Sequence, residues 1–179
     1  MNITLIGYRG TGKSTAARLV AERLGWTWVD ADAFLEEQAG QAIRDIFARE
    51  GEAGFRDREA AVIQELTRRD RHVIAAGGGA VLRTENRDAF RKTCMTVWLV
   101  ASAEVIERRL AADATTAERR PALTREGGAA EIRRLLAERE PLYRAAADVI
   151  VETDSQTPAE VAERITQTFV LWRPSKSME

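Results

Sequence analysis

The stretch "NITLIGYRGTGKSTAARLV" (2–20) sets three glycines, a lysine and a serine between an apolar run and an amphipathic one. Residues 2–6 read as a short buried strand. Residues 13–25 read as a helix, with Ala17, Val20, Ala21 and Leu24 on one stripe and Gly25 as the stop. Between them, "GYRGTGKS" (7–14) fits G-x-x-x-x-G-K-[ST]. The glycines let successive backbone N–H groups turn inward as a nest for an anion. The helix N-terminus adds its positive end. In that arrangement Lys13 reaches the β- and γ-phosphates of a nucleotide, and Ser14 offers its hydroxyl to Mg²⁺. Of 27 basic residues, only Lys13, Lys92 and Lys176 are lysine. Keeping the compact ammonium at 13, in a chain that otherwise writes arginine, fits a point-charge role.

Outward from this stretch the chain alternates. Strands are expected at 26–30, 72–79 (ending in three glycines), 94–100 and 148–153. Helices are expected at 33–49 (in two pieces, broken near Gly40), 51–70, 84–92, 102–112, 129–139 and 158–171. In the helix over 51–70, Phe55, Val62, Ile63 and Leu66 face inward, and Pro141 is expected to end the helix that starts at 129. Such alternation implies a parallel sheet covered on both faces. Ligands of such sheets sit at the carboxyl ends of the strands.

Composition narrows the classes. At 179 residues, with 45% hydrophobic and 31% charged residues, one soluble domain is expected. A net charge of −1 gives no general reason to bind nucleic acid. No run is apolar enough to cross a membrane, and the N-terminus reads directly into a strand, so neither a membrane nor a leader is expected. The single cysteine, Cys94, opens the apolar run "CMTVWLV" and reads as a small buried hydrophobe in a reducing compartment. His72, the only histidine, has no nucleophile beside it and reads as structural.

Five further motifs admit two readings each. "VDAD" (29–32) ends a strand: one carboxylate could serve Mg²⁺ or its water and the other a substrate hydroxyl, or Asp32 could simply cap the next helix. "GFRDRE" (54–59) puts Arg56 and Glu59 one turn apart, either as a surface ion pair or as an arginine held and aimed at a carboxylate. "AAGGG" (75–79) demands an unusual backbone, a close approach, or a tight turn. "AERRPAL" (117–123) lies in a long polar loop that reads as a lid, with Arg119 or Arg120 able to close on phosphate. "EREPLY" (138–143) brings Arg139 to the expected helix end, where the dipole alone could account for it.

Taken in order, these motifs resemble those of the shikimate kinases, from about residue 3 to residue 168. The matching pieces are the P-loop at 7–14, Asp30–Asp32, "GEAGFRDRE" (51–59), Gly77–Gly79, "RPAL" (120–123) and "REPLY" (139–143). The resemblance implies a three-layer α/β sandwich of the nucleoside-monophosphate-kinase type, with a five-stranded parallel sheet of order 2-3-1-4-5. It implies transfer of the ATP γ-phosphate to the 3-hydroxyl of shikimate, on the route to chorismate and the aromatic amino acids. Asp32, Arg56, Gly78 and Arg139 would bind shikimate. Lys13, Asp32 and Arg120 would be catalytic. Gly10, Thr11, Gly12, Lys13, Ser14, Thr15, Arg109, Arg120 and Gln156 would hold the nucleotide. One Mg²⁺ would take Ser14 directly and Asp30 through water. A single kinase domain over 1–179 is expected, with a substrate-binding segment at about 31–62, a lid at about 112–127 and a frayed tail at 173–179. The protein is expected to be monomeric and cytoplasmic. Two departures from the family pattern are small: Ala122 stands where a second leucine is usual, and Ala76 where threonine is common. Trp172, in the C-terminal stretch, matches no family role.

Overall fold

The structure, a computed structural model, describes residues 1–112 and 128–172. Five strands, β1 (Asn2–Ile6), β2 (Thr27–Asp30), β3 (His72–Ala75), β4 (Cys94–Val100) and β5 (Val149–Glu152), form one parallel sheet of order β2-β3-β1-β4-β5. The helices are α1 (Lys13–Leu24), α2 (Ala31–Ala39), α3 (Ile43–Arg68), α4 (Thr84–Thr93), α5 (Ala103–Ala112), α6 (Gly128–Ala146) and α7 (Pro158–Leu171), with a short 3-10 turn at Ala80–Leu82. The expected strand order is the one observed.

Side-chain alternation along each strand divides the core. Ile3, Leu5, Val73, Ala75, Val97 and Leu99 face α1 and α7, packing on Ala17, Val20, Val161 and Ile165. Ile6, Ile74 and Trp98 face the other way, onto Phe55, Ile63, Leu66, Phe90 and Tyr143. A sheet buried on both faces needs this near-continuous apolar character. A third cluster joins Tyr8 to Ile106 of α5 and to Ile132 and Leu135 of α6. Cys94 is buried as expected, and burial pushes its thiol pKa up.

Local chemistry sets most boundaries. Gly25 and Gly40 end α1 and α2 in the left-handed conformation, at φ 65° and 63°. At Gly51 (φ 68°, ψ −173°) α3 bends, which separates the two helical stretches the sequence suggested. Thr157, Pro158 and Glu160 start α7 with a capping box.

One expectation is corrected and one alternative reading is excluded. Pro141 does not end its helix: α6 runs through it to Ala146. An interior proline costs about 3 kcal/mol. Beyond it Tyr143 is 1% exposed and its ring stacks on Trp98, an offset of similar size. The second concerns the cap of α2. The helix begins directly after β2, so the capping position falls on Asp30, not Asp32. Asp30 Oδ1 accepts from the backbone N–H of Asp32 at 3.1 Å and of Ala33 at 3.2 Å.

Candidate active site

The strand register aligns Ile6, Asp30, Ala75, Val100 and Glu152 near one edge of the sheet. The candidate groups in the described residues stand on the segments that follow these strand ends, on α3, on α5 and on α6.

At the P-loop, Gly7 adopts φ 138°, and a Cβ there would lie 2.4 Å from the Leu99 carbonyl oxygen of the neighbouring strand. The backbone conformation and the close strand therefore both exclude a side chain. Gly10 and Gly12 also have positive φ, 79° and 91°. The Tyr8 carbonyl gathers the loop: it accepts from Thr11 Oγ1 and from Lys13 Nζ, each at 2.8 Å. This places the Lys13 ammonium over the loop at the N-terminus of α1, with Ser14 and Thr15 exposed beside it.

Ser14 Oγ donates to Asp30 Oδ2 at 2.5 Å. Asp30 thus holds α2 with one oxygen and meets the P-loop serine with the other. A hydroxyl and a carboxylate in contact suit a hard cation, which favours oxygen ligands. No group of three or more His, Cys, Asp or Glu side chains among the described residues could cage a metal. The Ser14–Asp30 pair fits an ion that takes its remaining ligands from phosphates and water.

The second half of the site surrounds the glycines after β3. Arg56 Nη1 donates to Glu59 Oε2 at 2.7 Å, and Nη2 to Glu52 Oε1 at 3.2 Å. Glu59 is only 3% exposed, so this is the held arginine rather than a surface pair. None of Gly77, Gly78 and Gly79 has a positive φ, and close approach accounts for Gly77 and Gly79, whereas a Cβ on Gly78 would meet nothing nearer than 3.4 Å. A Cβ on Gly77 would fall 2.8 Å from Asp32 Oδ1 and from Glu59 Oε1; one on Gly79 would fall 2.4 Å from both terminal nitrogens of Arg56. The carboxylates and the guanidinium fill the volume that side chains would have taken.

From α6, Arg139 Nη1 reaches the Gly78 carbonyl at 3.4 Å and its guanidinium lies 5.8 Å from the centre of the Tyr8 ring. Tyr143, one turn later, donates its hydroxyl to the same carbonyl. Burial pushes the Tyr143 pKa up to about 12, against smaller opposing effects of the Arg139 charge and of a hydrogen bond between its guanidinium and the phenol. Asp32, Arg56, Gly78 and Arg139 therefore converge from four separate segments.

On the far side of the P-loop, Arg109 bridges two strand ends. Its Nη2 donates to the Thr153 carbonyl at 2.7 Å, and its Nη1 to Thr153 Oγ1 at 3.0 Å and to the Gly10 carbonyl at 3.4 Å. Gln156 follows closely and donates to the Glu152 carbonyl at 2.7 Å. Arg119, Arg120 and Ala122 lie outside the described residues, as do the expected tail at 173–179 and the lid beyond residue 112. Sequence reasoning missed Tyr143, Thr153 and Tyr8. Tyr143 closes the "REPLY" motif beyond the expected helix end but drew no role, Thr153 looked like an ordinary strand residue, and Tyr8 occupies a position the P-loop motif leaves open.

The family model described as shikimate kinase matches residues 9–170. A shikimate kinase of Rhodopirellula baltica is 46% identical over 164 residues, covering 92% of this chain and 88% of its own length. One from Symbiobacterium thermophilum is 46% identical over 167 residues, covering 93% and 95%. Among solved structures, the shikimate kinase from Acinetobacter baumannii in complex with shikimate superposes with a TM-score of 0.88 at 37% identity, covering 95% of this chain and 93% of that one.

Proposed function

The chain belongs to the shikimate kinase family, and from that premise we propose how its site works: ATP gives its γ-phosphate to the 3-hydroxyl of shikimate, yielding shikimate 3-phosphate and ADP. This is an ATP-dependent phosphotransferase step of chorismate and aromatic amino-acid biosynthesis. The observation that carries the reading is the meeting of a P-loop with Asp32, Arg56, Gly78 and Arg139 at one sheet edge. Two arginines beside a glycine backbone suit the carboxylate of a small hydroxy acid.

The backbone of Gly10, Thr11, Gly12, Lys13, Ser14 and Thr15 cradles the phosphates, and Lys13 exchanges the Tyr8 carbonyl for the β/γ-oxygens. Arg109 and Gln156 flank the adenine. Arg56, Arg139 and the Gly78 backbone hold the shikimate carboxylate, which directs the ring hydroxyls towards Asp32. Asp32 orients the attacking hydroxyl and takes its proton as the new P–O bond forms. The bond from the γ-phosphorus to the bridging oxygen breaks, and its electrons leave with ADP. Ser14 would hold one Mg²⁺ directly and Asp30 through water. When bound, that ion neutralises charge on the β- and γ-phosphates. Arg120, outside the described residues, is the proposed arginine for the charge on the transferring group.

We assign the whole of 1–179 to one kinase domain, with residues 31–62 as its acceptor-binding segment. We assign the protein a monomeric, cytoplasmic form. No helix among the described residues is long and apolar enough to cross a membrane. The test is ADP release with a panel of hydroxy acids. Shikimate is expected to show the highest kcat/KM. A higher value for gluconate would place the substrate elsewhere, and ATP binding without turnover of any acid would make this a nucleotide-binding regulator.

A further inference from the structure

Tyr143 is buried at 1% exposure, its ring is stacked on Trp98 (centroids 5.6 Å apart, 19° between planes), and its hydroxyl reaches the Gly78 carbonyl. Arg139, one helical turn earlier, reaches that carbonyl too, at a long 3.4 Å. One buried acceptor is thus shared between a phenol and a guanidinium from the same helix face. The phenol makes the shorter bond to the carbonyl, leaves Arg139 a long contact there, and itself lies beside the guanidinium.

Two consequences follow from elementary geometry. A peptide plane carries its C=O and its next N–H on opposite edges. Holding the Gly78 carbonyl towards α6 therefore turns the Gly79 N–H away from α6. Three successive glycines have little conformational preference of their own, so this anchor matters more here than on an ordinary chain. Secondly, a buried carbonyl without a donor is costly, more so than a bond gained is favourable. Deprived of the phenol, it would draw in the nearest donor, which is Arg139.

We propose that Tyr143 is a positioning residue for the acceptor: its hydroxyl satisfies the Gly78 carbonyl, fixing the glycine backbone and leaving the Arg139 guanidinium available to the acceptor's carboxylate. This rests on the reading that Arg56, Gly78 and Arg139 receive that carboxylate. Trp98, itself buried, supports the ring from β4.

Steady-state kinetics on Tyr143→Phe, which keeps the ring and its stacking, test the proposal. The KM for shikimate is expected to rise about tenfold, the scale of one hydrogen bond. The KM for ATP should stay within about twofold, and kcat should fall by less than the shikimate KM rises. Shikimate methyl ester supplies the second arm. The variant should lose efficiency with the acid and much less with the ester, so the wild-type preference for the acid shrinks. An unchanged shikimate KM, equal losses on acid and ester, or parallel rises in both substrates' KM would each overturn the positioning role. Trp98→Phe provides the structural control. It should lower the melting temperature without separating the two KM values, and a selective rise in its shikimate KM would assign the effect to packing and overturn the proposal. Failure of the underlying reading looks different: wild-type enzyme would then prefer another acid, or show no preference for shikimate over its ester.

Discussion

The guanidinium of Arg56 occupies the space that a side chain on Gly79 would need, with a Cβ there 2.4 Å from both Nη1 and Nη2. A glycine after one strand thereby sets where an arginine on a distant helix can stand. Gly79 itself has φ −104° and ψ 1°, which alanine can adopt. The Gly79→Ala protein should therefore fold, but Arg56 must shift to clear the methyl group. We expect the shikimate KM to rise about tenfold or more while the ATP KM stays within about twofold, since a displaced charged partner costs on the order of 1–3 kcal/mol. An unaltered shikimate KM would remove Arg56 from the acceptor site.

Arg56 also answers to Glu59, at 2.7 Å with the carboxylate 3% exposed. Arg56→Ala should raise the shikimate KM by roughly a hundredfold and take the guanidinium from a buried carboxylate, lowering stability by about 3 kcal/mol. Adding Glu59→Gln should recover much of the melting temperature and none of the shikimate KM. Recovery of both in the double variant would mean the arginine serves stability alone.

Lys13 lies 2.8 Å from the Tyr8 carbonyl at the P-loop. Lys13→Ala should lower kcat at least about a hundredfold, because the ammonium acts on charge that develops in transfer. Shikimate affinity measured by calorimetry without nucleotide should change little. An active variant would contradict the P-loop assignment.

Tyr143 makes stability depend on alkaline pH. Its folded pKa, about 12, lies above the usual value of 10.0 because burial disfavours the phenolate. A folded pKa raised above the unfolded one means that the folded state holds the proton more tightly. The contribution is complete below pH 10 and disappears as pH rises through 12, on the order of 2 to 3 kcal/mol. Wild-type melting temperature should fall more steeply between pH 10 and 12 than that of Tyr143→Phe. Parallel curves would show that the phenol does not titrate with unfolding.

Much of the fold was legible because its signals are local. A buried strand, the glycines of "GYRGTGKS" and the amphipathic stretch after Lys13 dictate a strand–loop–helix unit within a few residues of one another. Gly25 and Gly40 mark helix ends through their own backbone freedom. Pro141 misled for the complementary reason. Its cost is local, whereas the packing of Tyr143 on Trp98 that offsets it comes from a strand far along the chain.

By itself, then, the sequence determined the chemistry available: a phosphate nest, a lysine, two carboxylates after β2, and arginines in recognisable motifs. Only the tertiary structure decided which groups meet. It assigned the helix cap to Asp30 and left Asp32 against Gly77. It turned the three glycines from a backbone question into a packing one, since no positive φ requires them but Asp32, Glu59 and Arg56 approach too closely for side chains at 77 and 79. It also gave the Gly78 carbonyl two donors from α6. The physical reason is the same in each case. Conformational preference is a property of a few adjacent residues, but contact depends on how strands and helices far apart in the chain are brought to one edge of a sheet.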